Sequence, residues 1–383
     1  MHREACRLDT VFEYLDWRGD IPLSVSPFNE VDNYIIAKVG CCDFDGIVSE
    51  GAEPTPIGAA LEAYFSCHGD AKEDFGALAS SNLGPVLRRL PETVRFRDVL
   101  LRCFVRRALP EQTEQFSALT LTLPDGTHYV SFRGTDDTLY AWKEDCMMAL
   151  SGAVPAQRDA ADYLARAAAL LPGTLRVGGH SKGGNLAVYA AAEADAAVQE
   201  RISVIYNNDG PGFHAEYLET PGYLAIRDRI LTLLPQFSIV GTLLIQDRET
   251  CAVVRSSRFG VAAHDGFNWG TCAAGFLRAA DLSRSSRAFD VTMEQVLGEM
   301  DMDQRREFIE TLFRLLTATG AVTLTDINER RLRRALGIAR RMAKEKTVSR
   351  FVVDVLEQMA KEYVAVSAEQ LRERLPKRKG KKD

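Results

Sequence analysis

Residues 175–192 read Leu-Arg-Val-Gly-Gly-His-Ser-Lys-Gly-Gly-Asn-Leu-Ala-Val-Tyr-Ala-Ala-Ala, and this stretch decides the fold class. Leu175 and Val177 open an apolar strand, Gly179-His180-Ser181-Lys182-Gly183 follows, and an alanine-rich helix takes over. A serine at the centre of G-x-S-x-G, between a strand and a helix, reads as a nucleophile elbow. The sharp turn lifts its hydroxyl clear of the backbone, and the flanking glycines let strand and helix pass closely. The helix that begins there aims free N–H groups and its positive dipole end at the serine, where an oxyanion would form. Glycine-rich strand-to-helix turns also bind nucleotides, so the surrounding sequence has to decide between the two.

The stretch 117–135 points the same way. Alternating Leu119, Leu121 and Leu123 make a strand, Pro124-Asp125-Gly126 a turn, and Tyr129 to Phe132 the returning strand. The hairpin ends in Phe132-Arg133-Gly134-Thr135 and continues through Asp136-Asp137-Thr138-Leu139-Tyr140-Ala141-Trp142-Lys143-Glu144-Asp145. Here the chain resembles the class 3 lipases, in which a similar F-R-G-[ST] strand end runs into a short lid with a W-x-x-D. That resemblance implies two oxyanion-hole donors, the backbone N–H groups of Thr135 and Lys182, arriving from different loops. It also makes Leu139, Tyr140 and Trp142 candidates for a lid, the alternative being an ordinary helix that docks Trp142 into the core. Thr135 could equally be a turn hydroxyl capping the next helix.

The chain is more closely similar to an uncharacterised family of bacterial α/β-hydrolase-like proteins. The shared blocks are Tyr14-Leu15-Asp16-Trp17-Arg18-Gly19-Asp20, Pro27-Phe28-Asn29-Glu30-Val31-Asp32, the elbow through Ala187, and Asn207-Asn208-Asp209-Gly210-Pro211-Gly212-Phe213. Pro235 with Ser238-Ile239-Val240-Gly241, and His264-Asp265, complete the set. The resemblance covers most of residues 10 to 320 and implies an α/β-hydrolase fold without naming a substrate.

A nucleophilic serine needs a base. Of the six histidines, His2 is terminal, His68 lies in a polar loop before the elbow, and His128 begins a hairpin strand. His180 adjoins Ser181 on a backbone that points neighbouring side chains apart, which suits packing. In α/β hydrolases the partners follow in the order serine, acid, histidine, leaving His264 as the expected base and His214 as the fallback. The acid is less plain. Class 3 lipases carry it after the strand that here is Arg229 to Leu234, where this chain has Ser238. Asp209 stands one strand earlier, at the C-terminal end of Ser203 to Tyr206, a favourable edge of an open α/β sheet, and is the expected acid. Asp247 and Asp265 are alternatives, and Asp209 could simply be a turn former in its Asn-Asn-Asp-Gly-Pro-Gly loop.

Three regions follow along the 383 residues. Residues 1–110 form an N-terminal block, within which Phe96, Val99, Leu100, Cys103 and Phe104 keep helical spacing. Residues 111–285 form the hydrolase core, with a helix at 157–171 and a last strand from Ala252 to Ser256. Residues 286–372 read as a helical C-terminal appendage, with helical windows at Met293 to Leu297, Phe308 to Leu316, Asp326 to Ala343 and Ser349 to Tyr363. There Val352, Val353, Val355, Leu356 and Met359 make a core face or a partner groove. Residues 373–383 form a basic tail expected to be disordered, with weak attraction to anionic lipid or nucleic acid as its suggested contact.

A net charge of −6 gives no reason to expect nucleic acid as a partner. The first residues lack a signal-peptide apolar core, and no run of eighteen apolar residues spans a membrane, so cytoplasm is the expected compartment. Eight scattered cysteines without C-x-x-C spacing read as reduced thiols and not as a metal site. The expectation is therefore a cofactor-free and metal-free carboxylic ester hydrolase with Ser181, His264 and Asp209 as its triad, acting on a small-molecule or lipid ester. A catalytically silent scaffold, motivated by Ser238 in the usual acid position, and a serine peptidase or thioesterase are the alternatives.

Overall fold

The computed structural model describes residues 8–69, 82–109, 114–135, 138–148, 153–284, 286–287, 301–323, 326, 329–344 and 353. In chain order, α1 is Val11–Arg18, α2 Glu30–Val39, β1 Thr55–Pro56, α3 Ile57–His68, α4 Leu83–Arg89, β2 Leu100–Leu109, β3 Glu114–Thr122 and β4 His128–Phe132. Next come α5 Leu139–Met147, α6 Pro155–Leu170, β5 Leu175–His180, α7 Lys182–Glu193, α8 Ala196–Arg201 and β6 Ile202–Asn208. The remainder are α9 Ala215–Leu218, α10 Pro221–Ile226, β7 Ile230–Pro235, β8 Cys251–Val254, β9 Thr271–Cys272, β10 Gly275–Phe276, α11 Met302–Thr317 and α12 Glu329–Lys344.

Strands β1 to β8 form one sheet in sequence order. The first three pairings are antiparallel and the last four parallel, an α/β architecture with helices on both faces. The period-2 alternation of the strands sorts the side chains. Leu119, Leu121 and Tyr129 face a cluster with Tyr34, Ile35, Phe96 and Trp269, whereas Ala118, Val130, Phe132 and Val177 face Tyr163, Leu164, Ala187 and Ala190. Register then aligns the carboxyl ends: Phe132 lies beside Gly179, His180 beside Asn208, and Asn208 beside Leu233. The residues just beyond Phe132, His180 and Asn208 therefore emerge at one edge, where open parallel sheets hold ligands.

The helical spacing of Leu100, Cys103 and Phe104 is misleading, because residues 100–109 are strand β2. Its pairing with β3 slips between Arg102 and Val105, and Cys103 takes a positive φ of 55°. A bulge of this sort breaks the alternation, so i, i+3, i+4 spacing arises within a strand. The expected core helix and hairpin strands match α6, β3 and β4, with Leu171 and Leu123 one residue past the ends of α6 and β3.

The N-terminal segments holding Tyr14 and Asn29 to Asp32 fold around one buried ion pair. Arg95 and Asp32 are both fully buried, with Arg95 Nε donating to Asp32 Oδ1 at 2.6 Å. The guanidinium also donates to the carbonyls of Ile21 and Ser26 at 3.0 Å and of Pro27 at 3.2 Å. Tyr14 Oη donates to Asp32 Oδ1 at 2.7 Å, and Asn29 N–H to Asp32 Oδ2 at 2.9 Å. Every polar group of the pair is used, and the pair locks the loop before α2 onto the turn before β2.

The chain divides into two compact units, Met1–Asp136 with Tyr140–Met300, and Asp137–Leu139 with Asp301–Asp383. In the second, Asp301 caps α11 by accepting from Gln304 N, and α11 buries Ile309, Leu312, Phe313, Leu315 and Leu316. The expected windows at 308–316 and 326–343 correspond to α11 and α12. The window at 293–297, that at 349–363 apart from the buried Val353, and the 373–383 tail lie outside the described residues.

Replacing Arg95 by Leu strands Asp32 and Tyr14 in the interior. Urea unfolding should show a loss of about 3–5 kcal/mol, the range for breaking a buried pair from one side. A loss below 1 kcal/mol would show that the cluster is dispensable.

Candidate active site

Ser181 occupies the turn between β5 and α7 with φ 60° and ψ −133°. Its N–H donates to the Asn208 carbonyl at 3.0 Å, and its own carbonyl accepts from Gly184 at 2.8 Å. A non-glycine residue at positive φ costs on the order of 1–2 kcal/mol. Only five such residues occur among those described, and Asp209, with φ 53°, is another of them. Local strain thus gathers at the carboxyl edge. The turn is tolerable because Gly179 and Gly183 lie against each other: a Cβ on Gly179 would overlap the Gly183 carbonyl, and one on Gly183 the Phe132 carbonyl.

Asp209 and His264 meet beside this turn. His264 Nδ1–H donates to Asp209 Oδ2 at 2.7 Å, with side-chain exposures of 3% and 0%. Ser238 Oγ donates to the other carboxylate oxygen at 2.5 Å and accepts from Gly241 N at 3.1 Å. Burial pushes the Asp209 carboxyl upward, while the imidazole and the Ser238 hydroxyl oppose that shift. Ser238, expected from the sequence to mark the position of a missing acid, is therefore a donor to Asp209. Of the alternatives, Asp247 pairs with Arg227, whose Nη2 lies 3.0 Å away, and Asp265 Oδ1 accepts from Phe267 N at 3.1 Å. His214 Nε2 donates to the Met148 carbonyl at 3.1 Å and does not line the site.

Ser181 and His264 share a pocket with Lys38, Cys41, Arg133, Gly134, Thr135, Trp142 and His180. No hydrogen bond joins Ser181 Oγ to His264, a separation common in ligand-free sites. Thr135 lines the pocket through its loop, and its hydroxyl donates to Asp145 Oδ2. Lys182 turns its side chain away from the pocket into the protein. Its ammonium, fully buried, donates to Glu144 Oε2 and to the Gln115 carbonyl, each at 2.9 Å, with Asp145 at 3.7 Å. Among the lid candidates, only Trp142 lines the pocket. Tyr140 is half-buried, and Leu139, 2% exposed, donates its N–H to the Val322 carbonyl in the second unit.

His180 has a structural part as well as a packing one. Its Nε2–H donates to the His264 carbonyl at 2.8 Å, and the two rings lie 4.3 Å apart. Tyr34 of α2 meets His180 edge-on at 5.6 Å, and its hydroxyl accepts from Gly266 N at 2.8 Å. Trp269, fully buried, donates from Nε1 to the Ala263 carbonyl at 2.8 Å. The loop carrying His264 is thus held from three sides. Sequence reading missed Tyr34, Lys38 and Glu144 because each is remote from the elbow in sequence; the position of His180 beside the serine was the one available signal.

The fold and site define an α/β protein whose buried histidine–carboxylate pair stands beside an elbow serine at the carboxyl edge of its sheet. The chain belongs to the Mbeg1-like family, an uncharacterised family whose model matches residues 90–314, well over half its length. No curated protein matches it.

Burial, and then the neighbouring His264 and Lys38, hold His180 well below the usual imidazole pKa of 6.5. Unfolded, the ring would protonate near 6.5, so the unfolded state binds the extra proton and stability falls as pH drops below that value. Melting curves between pH 7.5 and 5.5 should flatten in His180→Gln relative to the native chain. Parallel curves would remove His180 as a source of acid sensitivity.

Proposed function

We propose that the chain is a serine hydrolase of carboxylic esters, of the α/β-hydrolase type related to the class 3 lipases. The observation that carries this reading is the 2.7 Å contact between His264 Nδ1 and Asp209, both buried, with His264 in one pocket with Ser181 on its positive-φ elbow. With Nδ1–H committed to Asp209, the neutral imidazole presents Nε2 as the base.

Ser181 Oγ attacks the acyl carbon while His264 Nε2 takes its proton, and Asp209 stabilises the imidazolium that forms. The N–H groups of Thr135 and Lys182 receive the oxyanion. His264 then returns the proton to the departing alcohol. Water, activated by the same imidazole, releases the acid from the acyl-enzyme. Trp142 covers the acyl side of the pocket. A swing of the whole α5 segment would have to break the buried Lys182–Glu144 pair, so the covering group in this reading is the indole itself. The silent-scaffold alternative took its motive from Ser238 in place of an acid; the hydrogen bond from Ser238 to Asp209 weighs against it.

A fluorophosphonate probe should label the purified protein at Ser181 and leave Ser181→Ala unlabelled. On a short p-nitrophenyl ester, Ser181→Ala should lower kcat by about 10⁶-fold, and Asp209→Asn by about 10⁴-fold. Absence of both labelling and turnover across ester, thioester and peptide substrates would reject the enzyme.

A further inference from the structure

The pocket in front of Ser181 carries a charge pattern that a neutral ester does not require. Lys38 and Arg133 line it, no carboxylate among the described residues does, and Asp209 sits behind His264, fully buried. Lys38 stands in the last turn of α2, 5% exposed, and its ammonium makes no hydrogen bond or ion pair with any described residue. On the same wall, the buried Trp142 Nε1–H has no acceptor. A buried N–H without an acceptor costs free energy, and a cation beside it with no hydrogen bond or ion pair among the described residues leaves its charge on the pocket, so the two together suit a group from outside. Packing of the lysine stem, with its charge near the C-terminal end of α2, would explain Lys38 alone. It leaves the indole N–H unexplained.

We propose that this wall binds an anionic group, so that the preferred substrate is an ester bearing a phosphate or carboxylate close to the scissile bond. Lys38 supplies a point charge, Arg133 adds cationic charge to the same wall, and Trp142 Nε1–H gives a further donor. The chemistry rests on the ester-hydrolase reading; anion binding does not, because it needs no Ser181 hydroxyl.

Calorimetric titration of full-length Ser181→Ala separates the two. The ligands are two matched pairs, 1-butyrylglycerol 3-phosphate against 1-butyrylglycerol, and monoethyl glutarate against diethyl glutarate. In at least one pair the anion should bind about 10-fold more tightly or better, the scale of one charge-assisted hydrogen bond. Preference confined to the first pair identifies a phosphate-bearing alcohol part, and confined to the second a carboxylate on the acyl part. Adding Lys38→Gln should bring the ratio to within about threefold, and Lys38→Arg should retain it. Equal affinities within both pairs would overturn the proposal, as would a preference that survives Lys38→Gln. Should Lys38→Gln not fold, the ratio in Ser181→Ala and its retention in Lys38→Arg decide the matter. Anion preference without turnover by the native chain would reject the hydrolase and keep the anion site; turnover of neutral and anionic esters alike would do the reverse.

Discussion

The approach of β5 to α7 across Ser181 is the constraint on which the site depends. Two carbonyls, those of Phe132 and Gly183, occupy the volume that a Cβ at Gly183 or Gly179 would take. Only with both side chains absent can the chain turn this sharply and leave a serine at positive φ. The turn then fixes its neighbours, because Ser181 N–H bonds to the end of β6 and so sets where Asp209 emerges. Strain at Ser181 and Asp209 is offset by the sheet and helix around them, and not by contacts of those two residues alone.

Helix α2 is the second organiser, and it arrives from far away in sequence. Asn33 Nδ2 donates to Asn208 Oδ1 at 2.8 Å, and Tyr129 Oη to Asn33 Oδ1 at 2.6 Å, so one amide gauges the spacing of two strand ends. One residue on, Tyr34 carries the loop of His264, and one turn further Lys38 reaches the pocket. The Arg95–Asp32 pair anchors the start of the same helix. Buried polar groups with all partners present specify one arrangement more sharply than apolar contacts of equal size, and here they set the position of a helix that touches three parts of the site.

The parallel strands and the elbow were legible because their signals are local: an apolar run, a glycine-flanked serine, an alanine-rich helix. Asp209 and His264 could be ordered along the chain, but the contact between them is a product of register. Asn208 is level with His180, which no periodicity states. Strand β2 was misread for the opposite reason, since one extra residue at Cys103 imitated helical spacing. The part played by Ser238 was hidden as well. Its position suggested a missing acid, whereas three-dimensional proximity makes it a donor to the acid one strand away.

Two lysines near the serine show how partners decide what a buried charge does. Lys182 has Glu144, Asp145 and a carbonyl around its ammonium, so its charge is matched within the protein and it joins α5 to the start of α7. Asp145 also accepts from Thr135, which links the loop after β4 to α5 and, through Lys182, to the start of α7. Severing that link would loosen both segments together, so the network acts on geometry and leaves the charge of the pocket unchanged. Lys38 is nearly as buried but has no such partners, and its field falls on the pocket. In a low-dielectric site an unmatched charge acts over several ångströms on whatever enters. The two lysines therefore divide the work: one holds the machinery in place, and the other gives the cavity its sign.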